Sequence, residues 1–429
     1  NNPGDDIDYL TAIGNIATRG GEYPAAEAAF RDALARAEAM QPGHDLALAD
    51  VLVSLAGVLG ITGKAAEALA LETRALALRE AALGPLHPDL GLILTNLGVG
   101  HMLLGEFALA EQAQRRTLEI WRLSMPPGHE RLAFPLSALG DLALERGRFL
   151  EARADFDEAL AIWDKTLGPG HPSALFMQER LATTLLLQGE REAALRHIER
   201  ALAGWGEMAE PDPGGLTLAL LTRAQLAITV GDYSTAREPI ERARRTAETA
   251  FGPDHIYTQA TRMLQQGLLL ESGAPEEALA GLIPLLADYE RQHGPDSRWL
   301  LEALVLLGRA RHAVAHAGAL ALATKADPAA WQVVIDGFAA SRRDLERAQV
   351  LCRKHDLPAV LADVDLALAR TLWDGDLPPP HGPARVAAPD DPRSRARALA
   401  LAAAEVQRRL GANEALRQTE QWLREHPDP

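Results

Sequence analysis

Only a few segments of this 429-residue sequence resemble sites that could do chemistry, and the first of them departs from its pattern. Residues 57–65 (GVLGITGKA) resemble a phosphate-binding loop, in which backbone N–H groups and a lysine hold phosphate oxygens and a hydroxyl binds Mg²⁺. The segment has one residue too many between Gly57 and Gly63, and Ala65 stands where the hydroxyl is needed. We therefore expect a turn here rather than a nucleotide site.

Other reactive residue types are no better supported as catalysts. The sequence contains no His-Glu-x-x-His, Gly-x-Ser-x-Gly or protein-kinase catalytic motif. Acidic pairs on helical stretches are expected to be solvated surface; they include Asp157/Glu158 and Glu276/Glu277. The single cysteine, Cys352, can form neither an internal disulfide nor a cysteine-based metal cluster, and we expect a helix residue. We predict no catalytic residue, no cofactor and no metal.

Four histidines share one phase of the sequence and raise the question of metal binding; they are His87, His129, His171 and His255. Stacked helical repeats would place successive members about 10 Å apart, which is beyond the reach of one ion. We expect these side chains to serve in loops and helix caps.

Charge and composition exclude several partner classes. The net charge of -16 and the lack of a basic run argue against nucleic acid and anionic membrane surfaces. No uncharged apolar stretch is long enough to span a membrane, and we expect a cytoplasmic protein. Hydrophobic residues make up 47% of the chain but aromatic residues only 5%, and the abundance of Ala and Leu favours helices.

The elements that position all these residues follow a repeat. Glycine recurs every 42 residues, and alanine follows each glycine five residues later; the glycines are Gly21, Gly63, Gly105, Gly147, Gly189, Gly231 and Gly273. Weaker columns of small residues lie twelve residues after and seven residues before the glycine. Small residues allow helix axes to approach closely, and the glycine can take the positive φ that ends a helix. Gly-Pro segments then separate the repeats, so each repeat is predicted to be two antiparallel helices of about 17 residues.

The spacing of Gly98, Gly105 and Ala110, with Leu97 before Gly98, resembles the tetratricopeptide repeat (TPR) family. The 42-residue length and the Gly-Pro-x-His linkers are most similar to its kinesin-light-chain type. The resemblance covers about residues 5–315 and implies an all-α fold, a right-handed α-solenoid of antiparallel helix pairs with a helical C-terminal cap.

The predicted organisation has four parts. Residues 1–315 form seven repeats and the start of an eighth, and residues 316–375 form degenerate helical repeats. A Pro-rich linker at 376–392 precedes a helical hairpin at 393–429 that is expected to cap the stack. The region from Leu357 onward resembles the end of TPR arrays attached to bacterial serine/threonine kinases. That resemblance implies the docking region of a larger signalling protein, with a catalytic domain expected before residue 1.

In the TPR family, the residues ten and six positions before the turn glycine face a peptide-binding groove. Carried over with Glu145, one turn after Asp141, they give a predicted site of Asn15, Thr95, Val99, Ser137, Asp141, Glu145, Glu179, Thr183 and Gln225. Lysine is missing from these positions, which argues against a clamp for a C-terminal carboxylate. The acidic residues predict a protein or peptide ligand that is basic or neutral with apolar anchors. Solvated groove residues with no role in binding are the alternative.

The predicted function is a non-catalytic scaffold that binds another protein. Two alternatives stay open: self-assembly of the solenoid, and an enzyme site within residues 328–375.

Overall fold

The computed structural model describes residues 3–40, 43–324, 327–376 and 391–427, and every regular element in these ranges is helical. The first fourteen α-helices form seven consecutive pairs. These are α1 (Pro3–Arg19) with α2 (Tyr23–Ala39), α3 (Asp45–Ile61) with α4 (Ala65–Leu83), α5 (Leu90–Leu103) with α6 (Phe107–Ser124), α7 (Ala133–Glu145) with α8 (Phe149–Thr166), α9 (Pro172–Gln188) with α10 (Arg191–Glu207), α11 (Pro213–Thr229) with α12 (Tyr233–Phe251), and α13 (Ile256–Glu271) with α14 (Pro275–His293). The predicted fold class is confirmed. No helix in the described ranges is both long and apolar enough to cross a bilayer.

Each repeat turns at its column glycine. All seven column glycines have φ between 72° and 86°, a region that side chains with a Cβ rarely occupy. At the end of α9, Gly189 lies in the left-handed region with φ 80°, and its N–H donates to the carbonyls of Leu185 and Leu186. The predicted role of the glycine column is thus confirmed.

The alanine column lies inside the helix pairs. The alanines five residues after the turn are all buried, and six of the seven, including Ala110 and Ala152, have no exposed surface. The small residue seven positions before the turn lies against a large side chain of the second helix. In repeat 1, a Cβ on Gly14 would lie 2.6 Å from the ring of Phe30. In repeat 7 the large residue is on the first helix and the small one on the second, because Gln266 occupies the usual small-residue position and a Cβ on Gly281 would overlap its side chain.

The four linker histidines begin the first helix of their repeats. In each, Nδ1 accepts a hydrogen bond from the backbone N–H two residues later, at 3.2–3.3 Å, which satisfies one of the unpaired donors at a helix start. In repeat 8, Ser297 takes this position, and its Oγ accepts from Trp299 N at 3.3 Å. The predicted loop and cap role is confirmed: His129, His171 and His255 are N-cap residues, and His87 lies in the turn that leads into α5.

The chain divides into two compact units. The first contains Asn1–Leu142 and Ala161–Thr166, and the second contains Ala143–Leu160 and Leu167–Pro429. Three complete helix pairs, α1 to α6, lie in the first unit, and all helices from α9 onward lie in the second.

The regular pattern ends in repeat 8, where helix lengths change. The helices are α15 (Leu301–Leu322), α16 (Pro328–Lys354), α17 (Pro358–Asp374), α18 (Pro392–Leu410) and α19 (Asn413–Glu425). Because Ala315 stands where a turn glycine would be, α15 continues past the boundary predicted at residue 315. The turn after α16 uses Asp356 instead, with φ 52°. Of the predicted linker, residues 377–390 lie outside the described residues.

The last helices are more than an end cap. The predicted C-terminal pair exists as α18 and α19, but α18 packs more extensively on α17 than on α19. Within the second unit these helices also contact turns of repeats 4 and 5. A Cβ on Gly147 would lie 2.9 Å from Leu410 Cδ1 of α18, and Arg191 Nη2 lies 3.1 Å from Glu414 Oε1 of α19. Contacts between residues so distant in sequence leave no trace in the repeat pattern.

Candidate functional site: a cavity in the second unit

The second unit contains a cavity of about 540 Å³. One wall is formed by α11, α13 and α15, the first helices of repeats 6 to 8, and the facing wall by the start of α17 and by Glu145. The volume is within the range of about 300–1,000 Å³ that is usual for pockets that bind small ligands. Nine of its twenty lining residues have large aliphatic or thioether side chains: Ile228, Ile256, Met263, Leu264, Leu301, Val305, Leu306, Leu357 and Val360.

Glu302 on α15 is a carboxylate without a partner in this cavity. Its side chain is open to the cavity space while protein surrounds it, and this desolvation raises the pKa of its carboxyl. Among the described residues it has neither a hydrogen bond nor an ion pair. Burial also raises the pKa of Tyr289, and the charge of Glu302 raises it further. Glu302 is exposed to solvent through the cavity, so its carboxyl is accessible to a cation.

The other charged groups around the cavity are paired or hydrogen bonded. Arg298 Nη1 lies 3.0 Å from Glu145 Oε2, and Arg309 forms an ion pair with Glu271. Burial raises the pKa of Asp363 to about 6, although a hydrogen bond from Gln407 and the charge of Arg309 oppose the shift. Four carboxyl groups and two guanidinium groups therefore line the cavity, which gives it an excess of acid.

Two of the predicted site residues in the second unit line this cavity together. They are Glu145 and Gln225, and two further positions of the family pattern, Met263 and Gly267, line it as well. Because Gly267 has no side chain, it leaves open space in front of Leu306. These positions cluster because first helices of successive repeats present the same face.

Glu179 and Thr183 lie in a separate cluster. Glu179 is only 2% exposed, and its Oε1 accepts hydrogen bonds from Thr183 Oγ1 at 2.9 Å and from Thr222 Oγ1 at 2.7 Å. The carboxylate thus joins α9 to α11 in the interior. The expectation that Glu179 faces an open groove is wrong, because its neighbours on both helices offer hydroxyl donors that hold it inside.

The predicted residues of the first unit have varied surroundings. Asn15 and Val99 are exposed, whereas Thr95, Ser137 and Asp141 are partly buried. The Thr95 hydroxyl donates to Gly91 O at 2.8 Å. Binding by these five residues stays a prediction.

Three cavity residues were not predicted from the sequence: Glu302, Tyr289 and Asp363. Glu302 could have been noticed, because it is a single acidic residue within the apolar run 300–307 (LLEALVLL). Nothing in the sequence around Asp363 indicates a site, since α17 reaches the cavity only through the folding of the irregular C-terminal region.

The residues that were considered for catalysis have structural roles. In the segment that resembles a phosphate-binding loop, residues 57–65, Gly63 forms the turn with φ 79°, and Lys64 Nζ pairs with Glu27 Oε2 at 2.8 Å. Cys352 is 1% exposed, and burial raises the pKa of its thiol to about 12, which keeps it protonated and unreactive. The acidic pairs predicted to be solvated are exposed, as expected: Asp157, Glu158, Glu276 and Glu277.

Comparisons with known proteins agree with this fold. Residues 47–123 and 131–206 match the family model of the tetratricopeptide repeat. No curated protein shows a significant match. Among solved structures, a tetratricopeptide repeat protein from Parabacteroides merdae is 20% identical over 71% of this chain and 99% of its own, with a TM-score of 0.50.

Two further similar structures are a set of TPR-like repeats from Podosopora anserina, described as a kinesin light chain, and a Rap protein. The first is 20% identical over 48% of this chain and 97% of its own, with a TM-score of 0.43. The Rap protein, solved in complex with competence and sporulation factor, is 15% identical over 86% of this chain and 98% of its own, with a TM-score of 0.47.

Proposed function

We propose that this chain, in which residues 47–123 and 131–206 match the tetratricopeptide repeat model, is a protein-interaction scaffold whose second unit binds a segment of a partner protein in the 540 Å³ cavity. The observation that supports this proposal is the carboxyl of Glu302, which has no hydrogen bond or ion pair among the described residues and lies beside the apolar side chains of the cavity.

The chemistry of the lining selects the partner segment. Aliphatic walls favour an apolar anchor, and the acid excess favours a neighbouring lysine or arginine. A cation that reaches Glu302 forms a charge-assisted hydrogen bond with its carboxylate. An acidic segment would add a like charge and is disfavoured.

The size of the cavity limits what it can hold. A volume of about 540 Å³ accommodates one or two large side chains and not an extended peptide along the whole array. The partner therefore contributes a short motif, with an apolar residue beside a basic one.

A peptide array tests this proposal directly. Short peptides would pair Leu, Met or Phe with Lys, Arg, Gln or Glu, and binders would be measured in solution by fluorescence anisotropy. We expect the basic peptides to bind best. Glu302→Gln should weaken them by about 10- to 100-fold, since a hydrogen bond to a charged group contributes about 1.5–3 kcal/mol.

Glu277→Gln is the matched control, because Glu277 is exposed in the first turn of α14 and does not line the cavity. This variant should bind as the unmodified chain does. Equal binding of acidic and basic peptides, or equal effects of the two variants, would contradict the proposal.

The remaining alternatives stay predictions. Sedimentation velocity tests self-assembly, because a monomer at tens of micromolar removes it. The enzyme site in residues 328–375 and the role within a larger bacterial kinase are likewise untested.

A further inference from the structure

Two histidines and an aspartate meet near the end of the described repeat-like helices. His312 and His316 lie one turn apart on α15, and Asp374 is the last residue of α17. His312 Nε2 and His316 Nδ1 each lie 3.2 Å from Asp374 Oδ2, and all three atoms lie within 4.8 Å of one another. None of these residues lines the cavity described above.

The distances suit a shared metal ion. Zinc binds imidazole nitrogen and carboxylate oxygen at about 2.0–2.1 Å in a tetrahedral arrangement, which places neighbouring ligand atoms about 3.3 Å apart. Both nitrogen-to-oxygen distances in the cluster match that separation. The three ligand atoms therefore lie close enough together to bind one ion.

Hydrogen bonds fix which nitrogen of His312 is free to bind. Ser341 Oγ donates to Gly308 O at 2.7 Å, and Thr371 Oγ1 donates to Ala367 O at 3.1 Å. The Thr371 hydroxyl then accepts from His312 Nδ1, 3.3 Å away. With this proton on Nδ1, His312 presents Nε2 to the carboxylate of Asp374, where it can bind a cation.

His316 supplies an independent observation. Its Nδ1 is buried and has no hydrogen-bond partner among the described residues, although Asp374 Oδ2 is only 3.2 Å away. A buried polar atom without a partner is destabilising. Two atoms held close without hydrogen-bond geometry are expected when both are ligands of one ion.

We propose that His312, His316 and Asp374 form a binding site for a divalent transition-metal ion of the zinc class. Two imidazoles and one carboxylate are a ligand set that such ions favour, and the fourth position is left for water or an incoming ligand. Thr371 holds the His312 ring in the binding tautomer, as outer partners of metal-bound histidines do. The ion would link α15 to α17.

The test uses the chain without a polyhistidine tag, treated with chelator and then titrated with Zn²⁺ by calorimetry. We expect one ion per chain, and a rise in the thermal unfolding midpoint that chelator reverses. Hydrogen exchange should slow in two segments only, around residues 312–316 and 371–374. Co²⁺ in place of Zn²⁺ should give the absorption spectrum of a tetrahedral nitrogen and oxygen site.

Variants separate this site from adventitious binding to other histidines. His316→Ala and Asp374→Asn should each weaken Zn²⁺ binding by at least tenfold, with helicity unchanged by circular dichroism. His355→Ala removes one histidine from the exposed turn after α16 and should bind as the unmodified chain does. Equal affinity in all three variants, or no stoichiometric binding to the unmodified chain, would overturn the proposal.

Discussion

The regular repeats and the C-terminal region, residues 301–427, solve the same packing problem in different ways. In the repeats, small residues at a constant interval let helices approach, and the linker histidines cap helix starts. In the C-terminal region, helices of 27 and 17 residues follow one another, and ionisable groups enter the interior. Burial raises the pKa of Asp344 and of Asp363 to about 6, and burial lowers the pKa of Arg370.

This difference shows where chemistry can arise in a helical array. Where the period is kept, small residues at the helix crossings let the pairs pack closely, and buried acids such as Glu72 and Glu179 are exceptions. Once the period is lost, polar side chains from distant helices meet, as His312 and Asp374 do. Sites where local sequence rules fail are the places to expect function.

The largest expected effect concerns Glu72, an acid inside the regular array. It lies nine residues after its turn glycine, where other repeats have residues such as Phe30 and Ile198, and it is 6% exposed. Burial raises the pKa of Glu72 to about 7, while a hydrogen bond with Asn96 opposes the shift. The folded state therefore binds the proton more tightly than the unfolded state, and stability falls as pH rises from about 4.5 to about 7.

Glu72→Gln should remove this loss of stability at high pH, because glutamine does not titrate. At pH 8 we expect the variant to be more stable than the unmodified chain by about 2–3 kcal/mol, and at pH 4.5 nearly equal to it. Urea unfolding midpoints at the two pH values measure the difference. Glu67→Gln, exposed on the same helix, is the control. An unchanged pH response in Glu72→Gln would mean that burial does not perturb this acid.

The next effect tests the alanine column. Ala110→Leu and Ala152→Leu should each cost about 1–3 kcal/mol, because a larger side chain overpacks a crossing that has no free space. Arg115→Leu, at an exposed position that pairs with Glu111 at 2.7 Å, should change stability by about 0.5 kcal/mol or less. Chemical denaturation compares the three. Similar costs at buried and exposed positions would refute the packing role.

The sequence was informative wherever structure repeats. Turn glycines, buried alanines and capping histidines follow from local spacing, so seven similar repeats supply seven tests of one pattern. The failure of that pattern at Ala315 led to the prediction that the regular repeats end there. It did not reveal that α15 continues to Leu322, because Ala and Leu favour helix without specifying its end.

The candidate sites were only partly predictable, because tertiary contacts complete them. The family pattern pointed to Gln225 on the cavity wall, and Glu145 was predicted because it lies one turn after Asp141. Arg298, which pairs with Glu145, lies 153 residues away in sequence. Likewise, the spacing of His312 and His316 is visible on one helix, whereas Asp374 joins them only through the packing of α15 and α17.

The smallest effect separates capping histidines from the proposed metal-binding ones. His171→Ala removes the acceptor for Ser173 N and should lower stability by about 0.5–1 kcal/mol, as the loss of a helix cap does. His171→Ser should restore most of this stability, since Ser297 accepts the equivalent backbone hydrogen bond at the start of repeat 8. Thermal unfolding measures both variants, and both should keep full Zn²⁺ affinity. If serine is as harmful as alanine, the histidine contributes by something other than its hydrogen bond.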